Sequence, residues 1–210
     1  MESAKEARRL IIVFYRNPRK GKVKTRLAIS VGEDVALKIH VQLSMHTNGM
    51  VSQVQSDKVV FYDHEIVNND FWETASFQKC LQSGNDLGER MFEAFNWGFS
   101  QGYKEVLIIG TDCPGITPII LESAFDLLIN NDAVIGPAAD GGYYLLGIKK
   151  SSPDLFNGID WGSDVVFKQT TSRLDSAGYS FSVLQELRDI DRPEDLDFLK
   201  VAFPALLPAV

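Results

Sequence analysis

The sequence has few cysteines and no long hydrophobic run. Its longest apolar stretches, residues 10–15 and 205–210, fall far short of the roughly 20 residues that a membrane-spanning helix needs. Cys80 and Cys113 form no recognisable metal-binding or disulfide pattern, although the two could still pair with each other. These absences predict a protein without a membrane span that works in a reducing cytoplasm.

Several common cofactor signatures are also missing. The chain contains neither a Gly-x-x-x-x-Gly-Lys-Ser/Thr phosphate loop nor a Gly-x-Gly-x-x-Gly dinucleotide fingerprint. It has no Cys-x-x-Cys pair, and His40, His46 and His64 show no metal-ligand spacing. The sequence therefore gives no support to a P-loop or a zinc-dependent mechanism.

The overall composition is that of a soluble globular domain. Of the 210 residues, 45% are hydrophobic and 23% are charged, which is ordinary for a protein that buries a sizeable core. Residues 1–9 are charged and lead into an apolar stretch too short for a signal peptide. We therefore expect a flexible tail at 1–9 and a single domain over 10–210.

Charge is spread unevenly along the chain. The formal net charge is −7, which disfavours binding to a nucleic-acid polymer. Residues 16–26, in contrast, contain six basic side chains and no acidic one, directly after the first apolar segment. A compact basic loop of this kind favours a focused anion site, such as one for phosphate, over a broad polyanion surface. A solvated loop without a ligand is the alternative.

Apolar segments of strand length alternate with segments of helical periodicity. The predicted strands are 10–15, 59–62, 105–110, 133–136, 143–148 and 179–184; the predicted helices are 33–51, 71–81, 87–99, 163–177 and two that begin near 118 and 193. This alternation predicts an α/β fold with a mostly parallel sheet covered by helices on both faces. Such sheets bind ligands at the carboxyl ends of their strands.

Two acidic motifs follow predicted strands. Asp112 lies in a turn after strand 105–110, where a carboxylate could hold a divalent cation beside a bound phosphate, or could simply stabilise the turn. Asp189 and Asp191 are two residues apart, so in an extended segment both side chains would point to the same side. The pair could complete a metal site, or Asp191 could cap the last helix.

Two glycine-containing motifs could approach a ligand closely. In Asp140-Gly141-Gly142, the glycines let the backbone lie against a sugar or pyrophosphate, and Asp140 could accept hydrogen bonds from hydroxyls or act as a base. A turn before core tyrosines is the alternative. In the segment 84–90, glycines near a helix start permit contact with an anion or a base, unless Asp86 only caps the helix. Trp161 could stack on a sugar or pack internally.

Taken in order, the motifs resemble those of a bacterial family of nucleotide-diphospho-sugar transferases, glycosyltransferases of the GT-A type whose substrates are poorly defined. The resemblance covers residues 10–200, and the motifs that carry it are Leu10-Ile-Ile-Val-Phe, Gly21-Lys-Val-Lys-Thr-Arg-Leu, Gly84-Asn-Asp-Leu-Gly-Glu-Arg-Met, Gly110-Thr-Asp-Cys-Pro, Gly136-Pro-Ala-Ala-Asp-Gly-Gly-Tyr-Tyr and Asp189-Ile-Asp-Arg-Pro-Glu-Asp-Leu. It implies a Rossmann-like three-layer α/β/α fold, a nucleotide-sugar donor, a small-molecule acceptor and Mg²⁺ or Mn²⁺.

The resemblance also implies a role for each matching residue. The residues expected to bind nucleotide or phosphate are Lys22, Lys24, Arg26, Gly84, Asp86 and Arg90. The residues expected to hold the metal are Asp112 with Asp189 or Asp191, and those expected to line the sugar or acceptor pocket are Asp140, Gly141 and Gly142. We also expect Tyr143 of the same motif, and Trp161 from its place at a loop-to-helix junction, in this pocket. The motif around Asp112 reads Asp-Cys-Pro where many GT-A enzymes have Asp-x-Asp.

Three functions are compatible with these expectations. In the first, an acceptor hydroxyl attacks the anomeric carbon of a nucleoside-diphosphate sugar, with Asp140 as the catalytic base. In the second, a phosphorylated small molecule attacks the α-phosphate of a nucleoside triphosphate and releases pyrophosphate. In the third, the chain binds nucleotide without turnover.

Overall fold

The computed structural model describes residues 8–208. The strands in this part of the chain are Arg9–Tyr15 (β1), Asp57–Tyr62 (β2), Gln78–Leu81 (β3), Glu105–Ile109 (β4), Ala133–Pro137 (β5), Tyr143–Ile148 (β6) and Phe181–Val183 (β7). The α-helices are Thr25–Val31 (α1), Glu33–Val51 (α2), Leu87–Ser100 (α3), Pro118–Asn130 (α4), Val166–Ser176 (α5) and Asp195–Ala202 (α6), with short 3₁₀ turns at Pro153–Leu155 and Pro204–Leu206.

The seven strands form one sheet in the order β3-β2-β1-β4-β6-β5-β7. All neighbouring pairs are parallel except those made by β6, which runs antiparallel to both β4 and β5. The predicted α/β fold with a mostly parallel sheet is therefore confirmed. Because six strands share one direction, their carboxyl ends meet at a single edge of the sheet, where a ligand site is expected.

Helices cover both faces of the sheet. Along β1, Ile11 and Val13 point into one apolar cluster, which also contains Phe125 of α4. Ile12 points to the opposite face, where it packs in a second cluster with Phe95 of α3. This alternation is the period-2 geometry of a strand buried on both sides, and it explains the unbroken apolar run in the sequence.

The helix predicted for residues 71–81 is wrong. Residues 71–76 form turns, and Gln78–Leu81 is the edge strand β3, paired in parallel with β2. Trp72 and Phe77 pack against each other and into the apolar cluster beneath the turns, with Trp72 also against Tyr15. The apolar residues in this part of the sequence are therefore explained by tertiary packing of their aromatic side chains and not by the buried face of a helix.

The other predicted elements lie where the sequence placed them, with shifts at some ends. Asp86 caps α3 by accepting a hydrogen bond from the Glu89 amide at 2.9 Å, and Thr117 caps α4 ahead of Pro118. Helices α5 and α6 begin two or three residues later than predicted.

The structure describes only part of the predicted tail and of the predicted domain. Residues 1–7 of the expected tail, 1–9, lie outside the described residues, but Arg9 already belongs to β1 and pairs with Glu105 at 3.1 Å. The single domain over 10–210 stays a prediction. Within residues 8–208, no helix is long and apolar enough to cross a membrane.

Candidate active site

The predicted motifs gather at the carboxyl edge of the sheet, around two adjoining cavities. We call the larger one, of about 690 Å³, the polar cavity, since it is lined by the basic residues Arg16, Lys24, Arg26 and Arg90 and by Asp63, Asp86 and Asp191. The smaller one, of about 310 Å³, is the aromatic cavity, lined by Phe14, Tyr143, Tyr144 and Trp161 with Leu87 and Met91. Both cavities also share the three carboxylates of Asp112, Asp140 and Asp189.

Lys24 is tied into the centre of this site. Its side chain is only 2% exposed, and its ammonium group donates to the Asp112 carboxylate at 2.6 Å and to the carbonyl of Ile190. A backbone hydrogen bond of 2.9 Å from Ile190 to the carbonyl of Asp112 joins the same two segments. Lys24 thus fixes the position of the basic loop relative to the turns that carry Asp112 and Asp189.

The backbone of Lys24 is strained. It is the one non-glycine residue with a positive φ in the described part of the chain (φ 48°, ψ 42°), at the start of α1. A left-handed conformation at such a residue costs about 1–3 kcal/mol and persists where surrounding contacts enforce it. Two of the three ammonium N–H donors already have protein acceptors. Direct contact of Lys24 with phosphate therefore stays a prediction. What the structure shows is that Lys24 contacts Asp112 and Ile190.

The three shared carboxylates differ in their surroundings. Desolvation acts to raise the pKa of Asp112, but the Lys24 ammonium outweighs it and holds that pKa below its ordinary value. Desolvation, followed by the charges of Asp140 and Asp112, raises the pKa of Asp189 to about 6. Asp140 is exposed, and its Oδ1 accepts a hydrogen bond from the Gly142 amide at 2.9 Å, which orients the carboxylate at the junction of the two cavities.

The donor set fits a divalent cation that is completed by substrate. Within residues 8–208, no three acidic, histidine or cysteine side chains lie close enough to bind a metal by themselves. Mg²⁺ commonly uses one or two carboxylates and takes its other ligands from phosphate and water. Six aspartates but only four lysine and arginine residues line the polar cavity, so an added cation would relieve an excess of negative charge.

Of the two late aspartates, Asp189 is the better candidate for a metal ligand. Asp191 lines only the polar cavity, and its Oδ2 lies 2.9 Å from the Arg26 guanidinium. Asp189 faces Asp112 and Asp140 in both cavities. The alternative interpretation of Asp191 as a helix cap is wrong, because α6 begins at Asp195, has Glu194 at its N-cap position and has no side-chain cap. Asp195 instead accepts hydrogen bonds from the amides of Asp191 and Arg192 at 3.0 and 2.7 Å.

The predicted phosphate-binding residues divide into two groups. Lys24, Arg26, Asp86 and Arg90 line the polar cavity. Lys22 and Gly84 do not line it: Lys22 is exposed, and a Cβ at Gly84 would lie 2.7 Å from the Arg90 amide nitrogen. Gly84 is therefore required by the packing of its own turn. Its carbonyl also accepts a hydrogen bond from Arg90 Nε at 3.1 Å.

Most residues of the predicted sugar or acceptor pocket line the aromatic cavity. Tyr143 and Trp161 stand edge to face with ring centroids 6.5 Å apart, and Gly142 lies beside them. Gly141 does not line the cavity. With φ at 89°, it packs so tightly that a Cβ would lie 2.1 Å from the carbonyl oxygen of Asp164, so its small size serves the loop rather than a ligand.

Sequence reasoning missed several lining residues. Phe14, Leu87 and Met91 belong to the aromatic cavity, and Gln82 and Asn85 to the polar one. Phe14 and Met91 read as core positions in a strand and a helix, and nothing local distinguishes a core position from a cavity wall. Leu87 was the one lining residue that the sequence could have suggested, because it directly follows the predicted cap Asp86 at the start of a helix. In the structure it is an exposed apolar side chain.

Comparisons with known proteins agree with this geometry. Residues 47–163 match a family model described as "Uncharacterized protein conserved in bacteria (DUF2064)". The crystal structure of a "putative nucleotide-diphospho-sugar transferase" from Desulfovibrio desulfuricans G20 is 32% identical, with a TM-score of 0.85 over 92% of this chain and 87% of that chain. Comparison with curated protein sequences gave no match.

More distant structures share the fold alone. The 4-diphosphocytidyl-2C-methyl-D-erythritol synthase from Anaerococcus prevotii DSM 20548 superimposes with a TM-score of 0.60 at 12% identity, over 94% of this chain and 96% of that one. A CMP:2-keto-3-deoxy-manno-octonic acid synthetase complexed with CTP gives 0.57 at 11% identity, over 95% and 99%. The predicted Rossmann-like fold and the family resemblance are thus confirmed, and the chain belongs to the bacterial DUF2064 family.

Proposed function

We propose that the protein is a metal-dependent transferase that uses a nucleoside-diphosphate sugar as donor. One observation carries the proposal: two cavities meet at Asp112, Asp140 and Asp189, and all basic side chains of the site lie in only one of them. The donor's diphosphate would lie in the polar cavity and its sugar in the aromatic cavity. The bond between them would then lie at the shared carboxylates.

Phosphate binding in this arrangement falls to Arg16, Arg26 and Arg90. Arg16 and Arg26 are largely exposed and have acidic partners, Asp63 at 3.9 Å and Asp191 at 2.9 Å, which they can share with or yield to a phosphate. Guanidinium groups suit this task because they can donate two hydrogen bonds to one phosphate. Asp112 and Asp189 would hold Mg²⁺ or Mn²⁺, which when bound would offset charge on the departing diphosphate.

The transfer itself needs a base near the sugar. A hydroxyl oxygen of the acceptor forms a bond to the anomeric carbon, and the bond from that carbon to the phosphate oxygen breaks. The departing oxygen leaves with the electron pair as nucleoside diphosphate. Asp140, exposed and oriented at the junction, accepts the hydroxyl proton.

Nucleotidyl transfer is the second candidate. It is favoured by the gathering of four basic side chains in the larger cavity, which suits the higher charge of a triphosphate, and by the fold shared with a synthetase that binds CTP. There, a phosphate oxygen of a phosphorylated small molecule would bond to the α-phosphorus, and pyrophosphate would leave.

Product analysis separates the two reactions. The protein is incubated with Mg²⁺ or Mn²⁺ and either sugar nucleotides or nucleoside triphosphates with sugar phosphates, and the products are separated by anion-exchange chromatography. Nucleoside diphosphate from a sugar nucleotide supports the proposal, and pyrophosphate from a triphosphate supports the second candidate. Asp112→Asn should abolish either product. Nucleotide binding with neither product would indicate the non-catalytic module and refute both.

A further inference from the structure

We propose that the aromatic cavity selects uncharged, polyhydroxylated groups of monosaccharide size and rejects sugars that carry an anionic substituent. The inference rests on the proposed function and deepens it, since it names the class of sugar that the site accepts. It depends on the charge of the side chains that line the cavity, on their aromatic rings and on the volume of the cavity.

The charged side chains in the wall of the aromatic cavity are all acidic. They are Asp112, Asp140 and Asp189, and no lysine or arginine lines this cavity. A carboxylate or phosphate on the sugar would lose water there and find no lysine or arginine side chain to pair with. It would also meet the like charge of Asp140, which is not one of the proposed metal ligands. The same carboxylates are good partners for hydroxyl groups, which donate hydrogen bonds to them.

The remaining surfaces fit the apolar faces of a sugar ring. Phe14, Tyr143 and Trp161 contribute aromatic rings to the cavity wall, and the rings of Tyr143 and Trp161 are in edge-to-face contact. The volume of about 310 Å³ is at the lower end of the range of roughly 300–1,000 Å³ for ligand pockets, so a single ring fits better than an oligosaccharide. All four basic residues line the polar cavity next to it, so an anionic group finds a guanidinium partner only there.

Trp161 is held in place by a contact that depends on glycine. A Cβ at Gly88, in the first turn of α3, would lie 2.7 Å from the indole nitrogen of Trp161. The ring therefore rests directly on the helix backbone at the cavity wall. Trp97 offers a matched comparison, because it is a tryptophan of α3 itself that lines neither cavity. Its ring packs edge to face on Phe61, with the ring centroids 5.5 Å apart.

The test compares three matched pairs of free sugars. Glucose, galactose and mannose are each measured against the corresponding uronate by saturation-transfer NMR, in EDTA and again in Mg²⁺. We expect at least one neutral sugar to bind about tenfold or more tightly than its uronate, a change expected for one unfavourable charge contact. Trp161→Phe should weaken the neutral sugar, whereas Trp97→Phe should leave its affinity unchanged.

Three results would overturn the inference. They are a uronate that binds more tightly than its neutral partner in either buffer, no binding of any neutral sugar, and equal loss of sugar binding in the two tryptophan variants. A parallel titration with nucleoside diphosphates reports on the polar cavity alone. Diphosphate binding together with any of these results would reject the sugar selectivity but leave the proposed function standing, whereas sugar selectivity without diphosphate binding would reject the proposed function.

Discussion

Two buried lysines in this protein pair with aspartates at nearly the same distance, but in different surroundings. Lys79 of β3 lies 2.7 Å from Asp70, and the two side chains are 5% and 14% exposed. Lys24 lies 2.6 Å from Asp112, but there the exposures are 2% and 53%. One pair is sealed in the protein, while the other presents its carboxylate to a cavity.

The hydrogen bonds of the two pairs explain this difference. Lys79 also donates to the carbonyls of Val67 and Asn68, and Asp70 accepts further hydrogen bonds from the Tyr62 hydroxyl and the Trp72 amide. All groups of this pair are occupied, and it fastens the turns at 63–77 to the edge of the sheet. Lys24, by comparison, donates to one carbonyl besides Asp112, and the Asp112 carboxylate is half exposed at the cavities.

Substitution of the lysine in each pair should give the largest changes in stability and, for one pair only, in activity. It therefore separates a structural role from a functional one. Lys79→Met leaves the buried Asp70 without its cation, which should lower the free energy of unfolding by about 3–5 kcal/mol. Lys24→Met should lower it less, because Asp112 is 53% exposed and water can solvate its charge. Urea denaturation measures this loss. Only Lys24→Met should also abolish product formation per folded molecule, because only Lys24 positions the turns that carry Asp112 and Asp189.

The specific activities of the two lysine variants test whether the pairs have different roles. Assays are run with saturating metal at low temperature, where circular dichroism shows that both variants are folded. Equal specific activity in the two variants would mean that Lys24 is a structural pair like Lys79. Lys24→Arg, which keeps the charge but not the size, should recover stability more than activity.

Asp189→Asn should stabilise the protein at high pH, since burial and the neighbouring carboxylates both disfavour the ionised form of Asp189. The pKa of Asp189 rises from an ordinary 3.8 to about 6, so the native state holds this proton more tightly than the unfolded chain. Below pH 3.8 the group is neutral in both states and costs nothing. Between pH 3.8 and about 6 the unfolded chain has released this proton while the native state still holds it. Stability therefore falls across this interval, by up to about 3 kcal/mol, and levels off above pH 6.

The measurement is the unfolding free energy of wild type and Asp189→Asn in EDTA at several pH values. The variant should be more stable at pH 8 and nearly equal to wild type near pH 4. A variant that is less stable at pH 8 would show that the Asp189 carboxylate is not in an excess of negative charge. Asp197→Asn, a fully surface-exposed aspartate, serves as the control.

The smallest effects are expected at two aspartates near helix starts. Asp86 caps α3 with one hydrogen bond, while Asp195, the first residue of α6, accepts two backbone hydrogen bonds from the segment that follows Asp189 and pairs with Arg188 at 2.9 Å. Asp86→Ala should lower the free energy of unfolding by about 1 kcal/mol, and Asp195→Ala by more, because it removes several contacts. Asp195→Ala should in addition weaken metal binding, since it loosens the Asp189 segment; equal metal affinity in wild type and variant would contradict this.

The sequence predicted the elements that local pattern determines. The apolar run of β1 and the cap and apolar face of α3 lie where periodicity placed them. The helix at 71–81 failed because packing of Trp72 overrode the local pattern. The tether of Lys24 could not be foreseen at all, because its partners Asp112 and Ile190 are 88 and 166 residues away in sequence.

The site was predicted in part for the same reason. Asp112, Asp140 and Asp189 each follow a parallel strand, so fold topology brings them together, as expected. The locations of Lys22, Gly84 and Gly141 outside the cavity walls depend on loop conformation, which residue type alone does not specify. The roles of the residues that do line the cavities stay predictions until ligands are measured.

The central claim is that a divalent cation joins the carboxylates to a nucleotide diphosphate, and one binding measurement tests it most directly. Isothermal titration calorimetry with nucleoside diphosphates is carried out in EDTA and in Mn²⁺, on wild type and on Asp112→Asn and Asp189→Asn. The account predicts that at least one diphosphate binds about 100-fold more tightly with Mn²⁺, a gain of about 2.7 kcal/mol, and that either substitution removes most of this gain. Equal affinity in EDTA and Mn²⁺, or a full metal effect in both variants, would contradict it.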